Sequence, residues 1–306
     1  MKKVSYLLQA ARPTQWVKNL ATFAAIFFTG NLTDESKLVA VSLTFLSFCL
    51  AASSTYLFND LVDISSDILH SSKRSRPLAA KKISANLALA VCAVLALFAL
   101  LVSFLVAYEV FLVVLLYLSL QIAYSLYLKK VILLELLVIA FGFMLRVFAG
   151  SFAAQVALSS WLILSVMMLS LFLAVGKRRS ETTLLGNLAA SHRSTLASYP
   201  INLLDGLVFL SATSSLITYS LFTFNEPRSS SSLLIDILPS TISSSKWLMV
   251  TIPAVVYGIF RYLYLIFEKR EGESPEKILL QDKPLLATII VWLILCTSII
   301  YLLPTI

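Results

Sequence analysis

The segment NDLVDISSDILHSSKRSRP (residues 59–77) stands between two apolar runs, LTFLSFCLAASSTYLF (43–58) and ANLALAVCAVLALFALLVSFLVA (85–107). The flanks decide the fold class. Roughly 20 apolar residues at 1.5 Å rise cross a hydrocarbon core of about 30 Å, and runs of this kind recur along the whole chain. Of its 306 residues, 59% are hydrophobic and 13% charged, with mean hydropathy +0.89; a soluble domain carries about a quarter charged residues. The expectation is an all-α polytopic membrane protein, one integral membrane domain over 1–306.

Hydropathy places nine spans, at 14–30, 38–58, 84–107, 109–128, 131–154, 159–176, 201–224, 247–267 and 284–304. The opening MKKVSYLLQAARPTQWVKN reads poorly as a signal peptide, because Gln9, Arg12 and Pro13 interrupt its apolar stretch. Cys49, Cys92 and Cys296 lie inside apolar runs and read as packing residues. With only His70 and His192, histidine-based metal chemistry is not expected.

Assigned to the loops between these spans, 19 of the 24 Lys and Arg fall on one side of the membrane. By the positive-inside rule that side is cytoplasmic, with the N-terminus inside and the C-terminus outside a cell membrane. Eleven of the sixteen acids gather at the same surface. Acids contribute little to orientation, so their presence there points to a polar site.

Asp60, Asp63 and Asp67, in steps of three and four, share one helical face if the second span continues as a helix. Such a triplet repels itself unless a cation sits among its members, and oxygen ligands of this kind suit Mg²⁺ held jointly with substrate phosphates. A solvated, Asn/Asp-capped helix end is the plainer reading. Lys73, Arg74 and Arg76 have two readings as well, as topology signals or as a clamp for phosphate oxygens.

Three further polar clusters lie at predicted cytoplasmic helix ends. They are Arg12 to Asn19 (with Lys18, and Trp16 as an interface anchor), Tyr124 to Lys130 followed by Glu135, and Gly176 to Glu181 with Lys177 and Arg178. Arg146 falls at membrane depth. It reads either as a functional cation or as a partner for Glu135 or a backbone carbonyl. Together the clusters fit Mg²⁺-assisted departure of a diphosphate beside a cytoplasmic cavity.

These residues resemble the UbiA superfamily of intramembrane prenyltransferases, whose first motif, NDxxDxxxD, is matched by Asn59, Asp60, Asp63 and Asp67. RPTQWVKN (12–19), YSLYLK (124–129), LRVFAG (145–150), GKRRSE (176–181) and RYLYLIFEKREGESPEKILLQDKPL (261–285) narrow the resemblance to a branch that transfers 5-phosphoribose from phosphoribosyl diphosphate to a polyprenyl phosphate of decaprenyl type. The resemblance implies a nine-helix bundle with a cytoplasm-facing cavity, and Asp60, Asp63 and Asp67 as Mg²⁺ ligands. It implies substrate contacts from Lys18, Asn19, Asn59, Lys73, Arg74, Arg76, Tyr124, Arg146, Lys177, Arg178 and Glu181, and catalytic roles for the three aspartates, Lys129 and Glu135. Glu135 stands where the branch has Asp, and Arg179 where it has an aromatic residue.

The runner-up is an aromatic prenyltransferase using a polyprenyl diphosphate. Those enzymes generally carry a second aspartate-rich motif after the sixth span, whereas residues 177–200 hold no Asp and four cations. A transporter would show paired interrupted segments in two halves, and none is apparent. No nucleic-acid partner is expected, because the cytoplasmic loops account for the net charge of +8. Whether the chain works as a homo-oligomer is left open.

Overall fold

The computed structural model describes residues 2–69, 73–185, 199–225, 246–268, 278–279 and 281–302. Among them every regular element is helical. Among the described residues eight helices are long and apolar enough to cross a membrane, which makes this an integral, multi-pass membrane protein. The described residues divide into two compact units. One runs to Ala157 and includes Tyr199, and the other takes in Leu158 onward, apart from that residue.

In the first unit, α1 (Lys2–Ala11) leads into a 3₁₀ helix (Pro13–Phe23) and the short α2 (Ala24–Phe28). The predicted first span, 14–30, is therefore built differently from the others. Pro13 at its first position has no N–H to leave unpaired, and the tighter 3₁₀ winding rises about 2 Å per residue. Gly150 permits this geometry, since a Cβ there would lie 1.8 Å from the carbonyl oxygen of Thr22. No side chain fits at that separation.

Helix α3 (Glu35–Val62) has 28 residues, about 42 Å of helix. It starts at Asp34, whose carboxylate accepts the Lys37 backbone N–H at 3.1 Å. It also outruns the hydrocarbon thickness, so the predicted end at 58 falls short by one turn. That extra turn carries Asn59 and Asp60. Asp63 caps the helix, and α4 (Ile64–Leu69) resumes directly after it.

Helix α5 (Ala85–Val106) packs along α3. Ser47 donates to the Ala99 carbonyl at 2.7 Å and Ser54 to that of Cys92 at 2.8 Å. Interhelical hydrogen bonds of this type contribute about 0.6 kcal/mol each within a bilayer. Helices α6 (Tyr108–Leu126) and α7 (Leu134–Ala154) complete the unit. Its core joins Ile26, Phe48, Val114, Tyr117, Leu145 and Ala149.

The second unit contains α8 (Ser160–Leu185), α9 (Ile201–Asn225), α10 (Ile252–Phe267) behind a 3₁₀ turn (Trp247–Thr251), and α11 (Lys283–Thr297) ending in a π turn (Ser298–Leu302). Helix α8 runs nine residues past the predicted end of the sixth span. Lys177, Arg178 and Arg179, expected in a loop, are thus helical. The charged turn stays wound because Lys177 and Arg178 find Glu181 four and three residues on. Arg193, Lys269, Arg270 and Lys277, counted toward the orientation, lie outside the described residues, as do 303–304 of the last predicted span. Asp282 caps α11 through the Leu285 N–H at 3.0 Å and holds Arg261 by two bonds, of 3.0 and 2.8 Å.

Candidate active site

The aspartate triplet divides two and one. The expected shared face required α3 to continue as a helix, but it ends at Val62, with Asp63 as its cap and Asp67 on the separate α4. The division shows in their bonding. Arg76 Nη1 lies between Asp60 and Asp67, donating to Asp60 Oδ1 at 3.0 Å and to Asp67 Oδ2 at 2.7 Å. Asp63 turns instead to Lys129, whose Nζ donates to Asp63 Oδ1 at 2.5 Å and to Asn59 Oδ1 at 3.2 Å. The Asn59 amide closes this arrangement by donating to Asp63 Oδ2 at 3.1 Å.

A further cation completes the group. Arg12 Nη2 donates to Asp60 Oδ1 at 2.6 Å, and its guanidinium carbon lies 5.1 Å from the centroid of the Tyr56 ring. Asp60 is 2% exposed, so burial keeps these charge-assisted bonds from water and strengthens them. Arg12 has φ 53° and ψ 60°, a left-handed backbone that a non-glycine residue adopts only when its surroundings hold it there. Pro13 disfavours the right-handed helical region for the residue before it. The backbone bond from the Gln15 N–H to the Arg12 carbonyl (2.9 Å) secures the turn.

Arg12 is the residue that reading the sequence left out of the site. Its only signal was position, at the head of the RPTQWVKN stretch. Its carboxylate partner is 48 residues away, and no local periodicity connects the two.

Asn19 and Arg146 meet each other, apart from the acids in their bonding. Arg146 is buried, and it donates through Nε to Asn19 Oδ1 at 2.7 Å, through Nη1 to the Gly142 carbonyl at 2.7 Å and through Nη2 to the Tyr117 hydroxyl at 3.0 Å. The rings of Tyr117, Phe143 and Phe48 lie within 4.8, 5.2 and 5.7 Å of its guanidinium carbon. Of the expected partners, the backbone carbonyl is found. Glu135 is not within reach, since it lies eleven residues away on the same helix, about 16 Å along the axis.

The arrangement ties the 3₁₀ helix to α6 and α7. Asn19 also donates to Cys49 Sγ at 3.3 Å, and Trp16, expected as an interface anchor, donates to Ser53 Oγ at 3.0 Å.

Glu135 is fully buried in the first turn of α7. Leu133, just before that helix, has φ 65° and donates its N–H to the Tyr199 hydroxyl at 2.8 Å. Lys18 and Tyr124 are half-buried, on the 3₁₀ helix and in the last turn of α6. Lys73 is half-buried and Arg74 exposed in the turn Lys73–Ser75, whose Lys73 carbonyl accepts the Arg76 N–H at 2.9 Å.

In the second unit, Arg178 Nη1 donates to Glu181 Oε2 at 2.5 Å, while Lys177 Nζ lies 3.8 Å from Glu181 Oε1. Arg179 bonds Asp205 Oδ1 and the Ile266 carbonyl, each at 3.0 Å, with its guanidinium 4.0 Å from the Phe267 ring centroid. Gly176 gives α8 its close approach to α10, for a Cβ there would meet Ile266 Cδ1 at 2.6 Å.

Among the described residues no three His, Cys, Asp or Glu side chains gather as a metal site. The paired carboxylates of Asp60 and Asp67 nonetheless fit a hard divalent cation. One cationic atom, Arg76 Nη1, already stands between two anionic oxygens, and magnesium is commonly held by one or two carboxylates with substrate phosphates supplying further oxygens.

Residues 19–281 match the family described as the UbiA prenyltransferase family. A Mycolicibacterium smegmatis protein named decaprenyl-phosphate phosphoribosyltransferase is 35% identical over 294 residues, covering 95% of this chain and 91% of its own length. A Corynebacterium glutamicum protein of the same name is 30% identical over 302 residues, covering 97% and 87%. Among solved structures, a UbiA homolog from Archaeoglobus fulgidus bound to GPP and Mg²⁺ aligns with TM-score 0.69 at 17% identity, over 96% of this chain and 99% of that one. This last likeness concerns the fold.

Proposed function

The chain belongs to the UbiA prenyltransferase family, and from that premise we propose that it transfers 5-phosphoribose from phosphoribosyl diphosphate to a decaprenyl-type polyprenyl phosphate, releasing diphosphate. The observation that carries this reading is the pair of relatives named for that activity, each at least 30% identical over nearly the whole chain. The family match runs from 19 to 281 through both compact units, which supports treating 1–306 as one catalytic domain.

In the proposed reaction an oxygen of the lipid phosphate forms a bond to ribose C1 while the bond from C1 to the diphosphate oxygen breaks. The leaving diphosphate keeps the electron pair. The lipid phosphate is already anionic, so no strong general base is required. Asp60 and Asp67, and through a changed rotamer Asp63, would hold Mg²⁺, which neutralises charge on the diphosphate when bound. Lys129 orients Asp63 and Asn59 beside that position. In the first unit Lys18, Lys73, Arg74 and Arg76, with Asn19 and Tyr124, are the side chains proposed to bind phosphate oxygens; in the second unit Lys177 and Arg178, with Glu181, are proposed for substrate binding. Arg146 braces the 3₁₀ helix that carries Lys18 and Asn19, and Glu135, in the first turn of α7, is proposed for a catalytic role. Catalysis on this reading is positioning and electrostatic stabilisation.

The cation bias supports a cytoplasmic N-terminus and an external C-terminus, with the site facing the phosphoribosyl donor in the cytoplasm. The reading is tested with purified protein in lipid vesicles, Mg²⁺, phosphoribosyl diphosphate labelled in the ribose, and decaprenyl phosphate. The expected result is label in the lipid fraction with one diphosphate released per lipid modified. Absence of labelled lipid, with turnover of a polyprenyl diphosphate on an aromatic acid, would overturn it.

A further inference from the structure

The three aspartates are paired with cations, Asp60 with Arg12 and Arg76, Asp67 with Arg76 and Asp63 with Lys129. Two of those cations converge on one buried oxygen. Asp60 Oδ1 accepts from Arg12 at 2.6 Å and from Arg76 at 3.0 Å, which leaves no room on that oxygen for a metal. We propose that Arg12 and Arg76 mask the metal-binding carboxylates in the donor-free protein and transfer to the donor's diphosphate as the ion enters, so that metal binding is conditional on diphosphate. The proposal deepens the function argued above and rests on its assignment of Asp60 and Asp67 to the metal.

Charge decides why the exchange must be coupled. A divalent ion that displaced the two guanidinium groups from Asp60 and Asp67 would leave them without an anionic partner in a partly buried setting, where an unpaired charge is costly. A diphosphate arriving with the ion supplies the oxygens that the guanidinium groups lose, in the bidentate geometry arginine favours.

Both arginines are placed to make the move. Their side chains are 27% and 23% exposed, whereas that of Asp60 is 2% exposed. The carboxylate is thus enclosed, while each arginine keeps a solvent-facing part that an entering diphosphate can reach. Arg12 also departs from a left-handed backbone set immediately before the 3₁₀ helix. Such a conformation is strained for a non-glycine residue, and strain of this kind is found concentrated at ligand clamps and switch points. Arg12 thereby becomes a substrate-contacting residue in addition to those read from the sequence.

The proposal makes an expectation of opposite signs for one substitution. Removing the mask should help the metal and hurt the diphosphate. Calorimetric titration of the detergent-purified full chain with Mg²⁺ alone, and then with inorganic diphosphate at saturating Mg²⁺, measures both. For Arg76→Gln the expected result is Mg²⁺ affinity raised about fivefold or more and diphosphate affinity lowered by a similar factor, the usual range of coupling between sites. Arg76→Lys, which keeps the charge, should lie nearer the wild type in both titrations.

If Arg76 is merely structural, Arg76→Gln weakens both affinities or changes neither, and either outcome overturns the proposal. Should that variant not fold, Arg12→Gln, which removes one of the two guanidinium groups from Asp60 Oδ1 and leaves Arg76 in place, carries the same opposed signs, smaller in size, and the same contrary outcome. Neither titration contains ribose or lipid. A failure here therefore overturns the exchange alone, while a failure to label lipid overturns the transfer reading alone.

Discussion

The acidic end of α3 and α4 and the basic turn of α8 solve the same electrostatic problem in different ways. At the acidic end the carboxylates are matched by cations beyond the reach of a single helical turn, nine residues away for Asp67 and much farther for the other two. Asp60 pairs with residues 48 and 16 positions away, and Asp63 with one 66 positions away. In α8, Lys177 and Arg178 are matched within one helical turn by Glu181. The difference teaches which charges are held by the tertiary fold and which by the local helix. A half-exposed local pair such as Lys177 with Glu181 is worth a few tenths of a kcal/mol, whereas the Arg178 side chain is buried and its bond to Glu181 is the firmer of the two. The network around Asp60 is the more strongly organised, and disturbing it reaches several elements at once.

The largest effect should come from breaking the acidic end. Asp60→Asn and Asp63→Asn each keep size and an acceptor oxygen while removing charge. Each should reduce transfer at least about 100-fold while yielding folded protein by size-exclusion chromatography and circular dichroism. Near-wild-type rates in both would remove the metal assignment. Masking by Arg12 and Arg76 predicts a smaller change, the opposed shifts in Mg²⁺ and diphosphate affinity described above. The smallest effect belongs to α8. Lys177→Gln removes only the more exposed and more distant partner of Glu181, so thermal unfolding in detergent should report a stability change within about 1 kcal/mol. A much larger loss would mean that the α8 pair is as integral to its unit as the Asp60 network is to the first, and the contrast would fail.

The same contrast explains how much was legible in the sequence. Apolar runs of span length are a strong local signal, and apart from the first span and the end of α8 they located the helices to within a few residues. The aspartates were legible because their spacing is a local helical pattern. Their partners were not, because pairing across 48 or 66 residues is set by how helices pack. Helix α8 was ended too early because hydropathy stops at the first charged residue, whereas the helix stops only when its backbone bonds and local pairs do. The 3₁₀ winding of 13–23 depends on Gly150, more than 120 residues away, and no window on the sequence contains both. Arg146 was marked as notable for its depth. Which neighbours satisfy it, however, follows from the meeting of α6, α7 and the 3₁₀ helix.

The central claim is that this UbiA-family chain uses its single aspartate cluster for a phosphoribosyl donor. The most direct measurement gives the vesicle-reconstituted protein two donor and acceptor pairs in parallel and compares kcat/KM. One pair is phosphoribosyl diphosphate with decaprenyl phosphate, the other a polyprenyl diphosphate with an aromatic acid. The account predicts a preference for the first pair of at least about 100-fold, some 2.7 kcal/mol in transition-state binding. Equal efficiencies, or a preference for the prenyl donor, would contradict it.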